Sequence, residues 1–156
     1  MRLRLLLSCL VLAALCACSS APSKRISPPG VRVSQLQVQA DGQWELQLRL
    51  HNNSGMAMRF DQVRLELRSG EQLLASIDAR PALSVGAESG DTHVLTVTPD
   101  AQARLLVAGV LADGSALPYQ LRGQATAAPV DGRGRDYPLN FSSTLYPAPG
   151  LPGVLR

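Results

Sequence analysis

The chain's three cysteines, Cys9, Cys16 and Cys18, all fall within its first 18 residues. A thiolate is both a nucleophile and a soft metal ligand, so this clustering is the first chemical question the sequence poses. Cys16 and Cys18 stand in "LCACSS", Leu15 to Ser20, at the end of an almost unbroken apolar run from Leu5 to Ala17 that follows Arg2 and Arg4. A basic start, a short apolar run and small residues after it are the parts of an export signal. Thirteen residues are too few to span a bilayer, which needs about 20 at a rise of about 1.5 Å each. His51 and His93 are the only histidines. A zinc site or an activated nucleophile needs convergent partners, and no mature cysteine within the fold supplies one. His51 continues the polar phase of its strand, and His93 opens another strand beside Asp91. Asp61 and Asp78 have no local spacing that would pair them for acid-base work. No catalytic residue, metal ligand or cofactor is assigned, and these groups read as surface charge.

"LCAC" resembles the lipobox of bacterial lipoproteins: aliphatic Leu15, tolerant Cys16, small Ala17, then Cys18. The resemblance implies that the thiol of Cys18 receives a diacylglycerol and the peptide bond before it is cut. The new amino terminus is then acylated as well, palmitate being the expected acyl group. Ser19 follows, where in the better-known sorting scheme an Asp retains the protein at the inner membrane. Its absence implies a lipid anchor in the cell outer membrane, with the protein facing the periplasm.

Cleavage there removes 17 of 156 residues and leaves 139. It takes Arg2 and Arg4 from the 15 basic residues, leaving 13 against 12 acidic ones. The alkaline pI therefore belongs partly to the signal, and with no basic stripe and few aromatics nucleic acid is not an expected partner. No disulfide can form within the mature fold even in an oxidising compartment, so stability must come from an ordinary core.

Three segments follow: a signal peptide over 1–17, a lipidated cysteine with a flexible tether over 18–30, and one domain over 31–156. "SSAPSKRISPPG", Ser19 to Gly30, is Ser- and Pro-rich and predicts an extended tether outside the fold. Beyond it, "QWELQLRL", Gln43 to Leu50, alternates Trp44, Leu46, Leu48 and Leu50 against Glu45, Gln47 and Arg49. Period two means a strand with one dry face. Val31 to Gln39 gives a weaker strand that turns at "ADG", Ala40 to Gly42. "FDQVRLELRSG", "EQLLASIDA", "THVLTVTP", "LPYQLRGQA" and "DYPLNFSSTLY" complete a series of about seven, the number that predicts a β-sandwich. "PDAQARLLVAGVLADG" breaks the period, with Asp100 as N-cap, helical spacing of alanines and leucines, and a stop at Gly114, and predicts one short helix.

This arrangement resembles the late embryogenesis abundant type 2 family, the water-stress and hypersensitive-response (WHy) domain, from about Val31 to Tyr146. "LRLHNNSG" stands where that family ends an amphipathic strand in an Asn-Pro-Asn-like turn, keeping Asn52 and Asn53 without the proline. "VRLELRSG" and "LSVGAESGDTHVLTV" match its next strands, and "YQLRG", Tyr119 to Gly123, its Tyr-x-Leu-x-Gly strand. The resemblance implies an all-β fold: an immunoglobulin-like or fibronectin-III-like sandwich of about seven strands with one helix. It also implies a non-enzymatic role in protection from desiccation and stress.

Partner contacts are expected in "HNNSGMAMRF", where Met56 and Met58 end a turn-rich loop with adaptable thioethers. "DGRGRD", Asp131 to Asp136, reads as a hairpin tip. The tail "YPAPGLPGVLR" excludes a helix or a central strand, and either covers a sheet edge or frays. The expected partners are the membrane, through Cys18, and an envelope protein. The two functions compatible with these features are stress protection of the envelope and service as a binding or assembly module of an envelope complex; the sequence names no oligomeric state.

Overall fold

The structure, a computed structural model, describes residues 25–156. Cys18 and the signal segment lie outside them.

Two antiparallel sheets face each other across one apolar core. The first has the strand order β6-β2-β1-β9, formed by Gly90–Val97 (β6), Trp44–His51 (β2), Gly30–Val38 (β1) and Val154–Leu155 (β9). The second has the order β4-β3-β7-β8, formed by Gln72–Ala79 (β4), Met58–Ser69 (β3), Leu117–Pro129 (β7) and Arg135–Leu145 (β8). A three-residue strand, Leu83–Val85 (β5), pairs with the start of β3. The seven expected strands are all present at eight residues or more, and β5 and β9 are added to them. The fold is an all-β sandwich with one helix among the described residues, Ala101–Asp113 (α1).

The alternation of β2 becomes burial directly. Trp44, Leu46, Leu48 and Leu50 are all buried, and the residues between them are half-buried on the outer face. In β1 the period slips, because Val31 and Val33 face the core in one phase and Leu36 in the other. The slip is a β-bulge at Ser34, where one extra residue lets both halves of the strand turn their apolar side chains inward. The β1–β2 turn closes at Gly42, with φ of 81°, and Asp41 accepts a hydrogen bond from the Gln43 N–H.

Helix α1 starts at Asp100, whose carboxylate accepts from the Ala103 N–H at 2.7 Å, and stops at Gly114 in the left-handed conformation. It leaves the end of β6 that pairs with Trp44 and returns at Leu117, so it caps that end of the sandwich. Ala103 and Val107 enter the core, and Leu105 is 68% exposed.

The proline-rich tail folds back as a hairpin. Tyr146 and Arg156 exchange backbone hydrogen bonds, and β9 pairs with Leu36 and Gln37, covering the second half of the β1 edge. The first half of that edge is met differently, by a tyrosine from the opposite sheet.

Candidate functional site

The residues of greatest chemical interest lie at the end of the sandwich opposite the helix, where the chain enters β1 at Gly30. The strand period brings Gly30, His51 and Gly90 into one row across β1, β2 and β6, with Arg32, Arg49 and Thr92 in the next. All six lie on the outer face of their sheet.

Polar groups hold this end. Asn52, 1% exposed, turns its amide toward the carbonyls of Met56, Val85 and Gly86 at 2.8 to 3.1 Å, and its Oδ1 accepts from the Ser54 N–H. A short polar side chain that closes a turn on its own backbone explains why Asn stands here; its amide also ties the β2–β3 loop to β5. Ser54, also buried, accepts from the Ser27 N–H and donates to the Ser27 carbonyl. Asn53 donates to the Pro28 carbonyl, the Gly55 N–H donates to the Arg25 carbonyl, and Pro29 is buried. These bonds correct the expectation that everything up to Gly30 is free tether: Arg25 to Gly30 is docked, because the turn-forming residues supply partners for its backbone.

Beside this network is a cleft of about 390 Å³ lined by Gly30, Val31, Arg32, Arg49, His51, Asn53 and Phe141. A Cβ built on Gly90 would stand 2.9 Å from Arg49 Nε and 3.1 Å from His51 Nδ1, which puts those two nitrogens no more than about 6 Å apart. Phe141 belongs to the inward face of β8, paired with buried Leu121, yet is 39% exposed, beside the first half of the β1 edge, with which β9 does not pair.

Tyr119 closes the sandwich next to it. Its hydroxyl accepts from the Val33 N–H at 3.2 Å and donates to the Val33 carbonyl at 3.1 Å, which satisfies both backbone groups beside the bulge from across the core. Burial pushes the phenol above its ordinary value, against the smaller opposing effects of its hydrogen bonding with Val33 and of nearby Ser143 and Arg32. Four residues on, Gly123 has φ of 147°, and a Cβ there would lie 2.1 Å from the Arg64 carbonyl oxygen. Only glycine lets β7 approach β3 so closely. The Tyr-x-Leu-x-Gly segment therefore consists of a bridge between sheets, a core residue and a close strand contact.

Of the residues expected to meet partners, Met58 is 1% exposed, because the inward register of β3 begins with it and Phe60. It is a core residue and offers no contact, which corrects that expectation. Met56 is half-buried against the same core. His51 is exposed and His93 half-buried. Asp61 is paired with Arg59 at 2.6 Å, and Asp78 lies 3.8 Å from Arg64, so the structure places these carboxylates with cations and not with each other. Among the described residues no group of three or more His, Cys, Asp or Glu is placed to hold a metal ion, and no helix is long and apolar enough to cross a membrane. The sequence reading missed the Arg32–Arg49 juxtaposition, which the bulge at Ser34 creates: in the register beyond it Arg32 would oppose Leu50.

Taken together, the fold is that of a β-sandwich whose special residues serve turns, bridges and close strand contacts. The family model for late embryogenesis abundant protein, type 2, matches residues 47–142, and the chain belongs to that family. Among solved structures it is similar to a protein from Archaeoglobus fulgidus, at 12% identity and a TM-score of 0.42, over 77% of this chain and 97% of that one. It is also similar to a Northeast Structural Genomics Consortium target, at 9% identity and a TM-score of 0.47, over 81% and 92% of the two chains. No curated protein sequence matches it.

Proposed function

We propose that this protein is a non-enzymatic lipoprotein, acylated at Cys18 and held at the outer membrane, whose sandwich protects the cell envelope during desiccation and related stress. The observation that carries the role is family membership over residues 47–142. The anchor rests on "LCAC" and on the apolar run before it. Docking of Arg25 to Gly30 adds a geometric consequence. Only seven residue steps separate Cys18 from Arg25, at most about 25 Å of extended chain, so the Gly30 end is the one that faces the bilayer. Two acyl chains make release slow, where one binds only marginally.

The test has two parts. Cys18→Ala moves the protein from the membrane fraction to the soluble one; retention in the membrane contradicts the anchor. A deletion strain survives drying less well than its parent, and equal survival contradicts the protective role in favour of service in an envelope complex, which cross-linking in cells would then reveal as a consistent partner.

A further inference from the structure

We infer that the cleft beside Gly30 binds the phosphate of an anionic phospholipid headgroup, gripped by Arg32 and Arg49. Its first support is a like-charge pair in the strand register. On β3, Arg59, Arg64 and Arg68 each have a carboxylate within 4 Å: Asp61, Asp78 and Glu66. On the other sheet Arg32 and Arg49 are register partners on adjacent strands, and among the described residues neither they nor His51 have a carboxylate within that distance. Like charges directly opposite on neighbouring strands destabilise a sheet. An anion between them turns that repulsion into two charge-assisted contacts, and the guanidinium fork suits phosphate geometry. Among the described residues the one hydrogen bond Arg49 makes from its guanidinium, to Thr92 at 3.5 Å, is long.

Space and surroundings fit the same ligand. Gly30 and Gly90 flank His51 without side chains, and the space a Cβ on Gly90 would need is taken by Arg49 Nε and His51 Nδ1, so glycine there lets both nitrogens settle at the cleft. The cleft, about 390 Å³, lies within the range of small-ligand sites. Asn53 lies on the same rim, and Val31 and Phe141 supply the apolar wall that the glycerol and first acyl carbons of a lipid require. A soluble phosphate ester carries the same anionic group but has no use for that wall. The choice of a membrane lipid rests on the proposed anchor at Cys18, whose short reach to Arg25 would hold this cleft at the headgroup layer.

The experiment is native mass spectrometry of the detergent-extracted full-length protein with phosphatidylglycerol, and separately with phosphatidylcholine or glycerol 3-phosphate. A phosphatidylglycerol adduct is expected on the parent and on Arg133→Gln, which removes one charge from a loop at the same end. The adduct is expected to fall about tenfold in the double variant Arg32→Gln, Arg49→Gln, and to fall likewise in Gly90→Ala, which keeps both charges but displaces the Arg49 and His51 side chains. Equal adducts in parent and double variant overturn the proposal, as does an equal loss in Arg133→Gln, which would mark diffuse charge. Displacement of the lipid by an equal concentration of glycerol 3-phosphate, or equal binding of phosphatidylcholine, overturns the choice of ligand. Circular dichroism of each variant verifies the fold. The intact mass in the same spectra reports acylation of Cys18, so failure of the anchor and failure of the cleft are read separately.

Discussion

The two ends of the sandwich are built from different chemistry. At the helix end, Trp44, Val97 and Leu117 are buried in the core together with Ala103 and Val107 of α1, and the closure is apolar, with one carboxylate cap at Asp100. At the Gly30 end, closure is by hydrogen bonds from Asn52, Ser54 and Asn53 to backbone as far as 34 residues away, and the surface beside them leaves two arginines opposite each other in the strand register. An apolar cap tolerates approximate packing, whereas a buried polar network is stable only while every member has a partner. The difference teaches that the Gly30 end is both the more specific and the more easily damaged of the two.

Asn52→Ala tests that fragility and carries the largest expected effect. It leaves the carbonyls of Val85 and Gly86 and the Ser54 N–H without their partner, and is expected to cost about 2–4 kcal/mol in denaturant unfolding. Amide exchange at Ser27 should accelerate as the docked segment loosens, while α1 keeps its protection. Loss of protection at both ends together would break the contrast.

Tyr119→Phe follows, at about 1–3 kcal/mol, because it strips Val33 of both partners. It also has a pH signature. Folding raises the phenol's pKa, so the protonated form is favoured in the native state. That contribution is intact below the unfolded value of about 10 and is lost as pH rises through the higher folded value. The parent should lose stability on that alkaline limb in thermal melts at stepped pH, and Tyr119→Phe should lack this component.

At the helix end, Asp100→Ala removes one cap and should cost about 1 kcal/mol, read from the thermal midpoint. The smallest effect is expected at the cleft. Arg32→Gln relieves the opposition to Arg49 and should raise stability by a few tenths of a kcal/mol at low salt, a gain that disappears at high salt.

The helix end was also the more legible in the sequence. The Trp44 stripe, the Asp100 cap and the Gly114 stop are local signals, written within a few residues of where they act. Asn52 and Asn53 were readable only as turn formers, because their partners come from Pro28, Val85 and Gly86, distances over which periodicity carries no information. The bulge at Ser34 shows the same limit: it weakens the apparent strand from Val31 to Gln39, yet it orients Val31 and Val33 toward the core and sets Arg32 against Arg49. Met58 reads as a loop residue in the sequence because no local feature marks where the inward register of β3 begins. The tail's role depends on a two-residue pairing with β1, too short for any pattern to announce.

Orientation at the membrane is the claim on which anchor, docked segment and cleft converge. Ala57, beside the Asn52 turn, and Ala112, in α1, are both exposed, and either can be replaced by cysteine to carry a fluorophore, since Cys18 would be acylated in the mature protein and Cys9 and Cys16 removed. In vesicles containing a headgroup-linked quencher, the acylated protein labelled through Ala57→Cys should be strongly quenched and that labelled through Ala112→Cys only weakly. Equal quenching at the two ends, or stronger quenching at Ala112→Cys, would contradict the account.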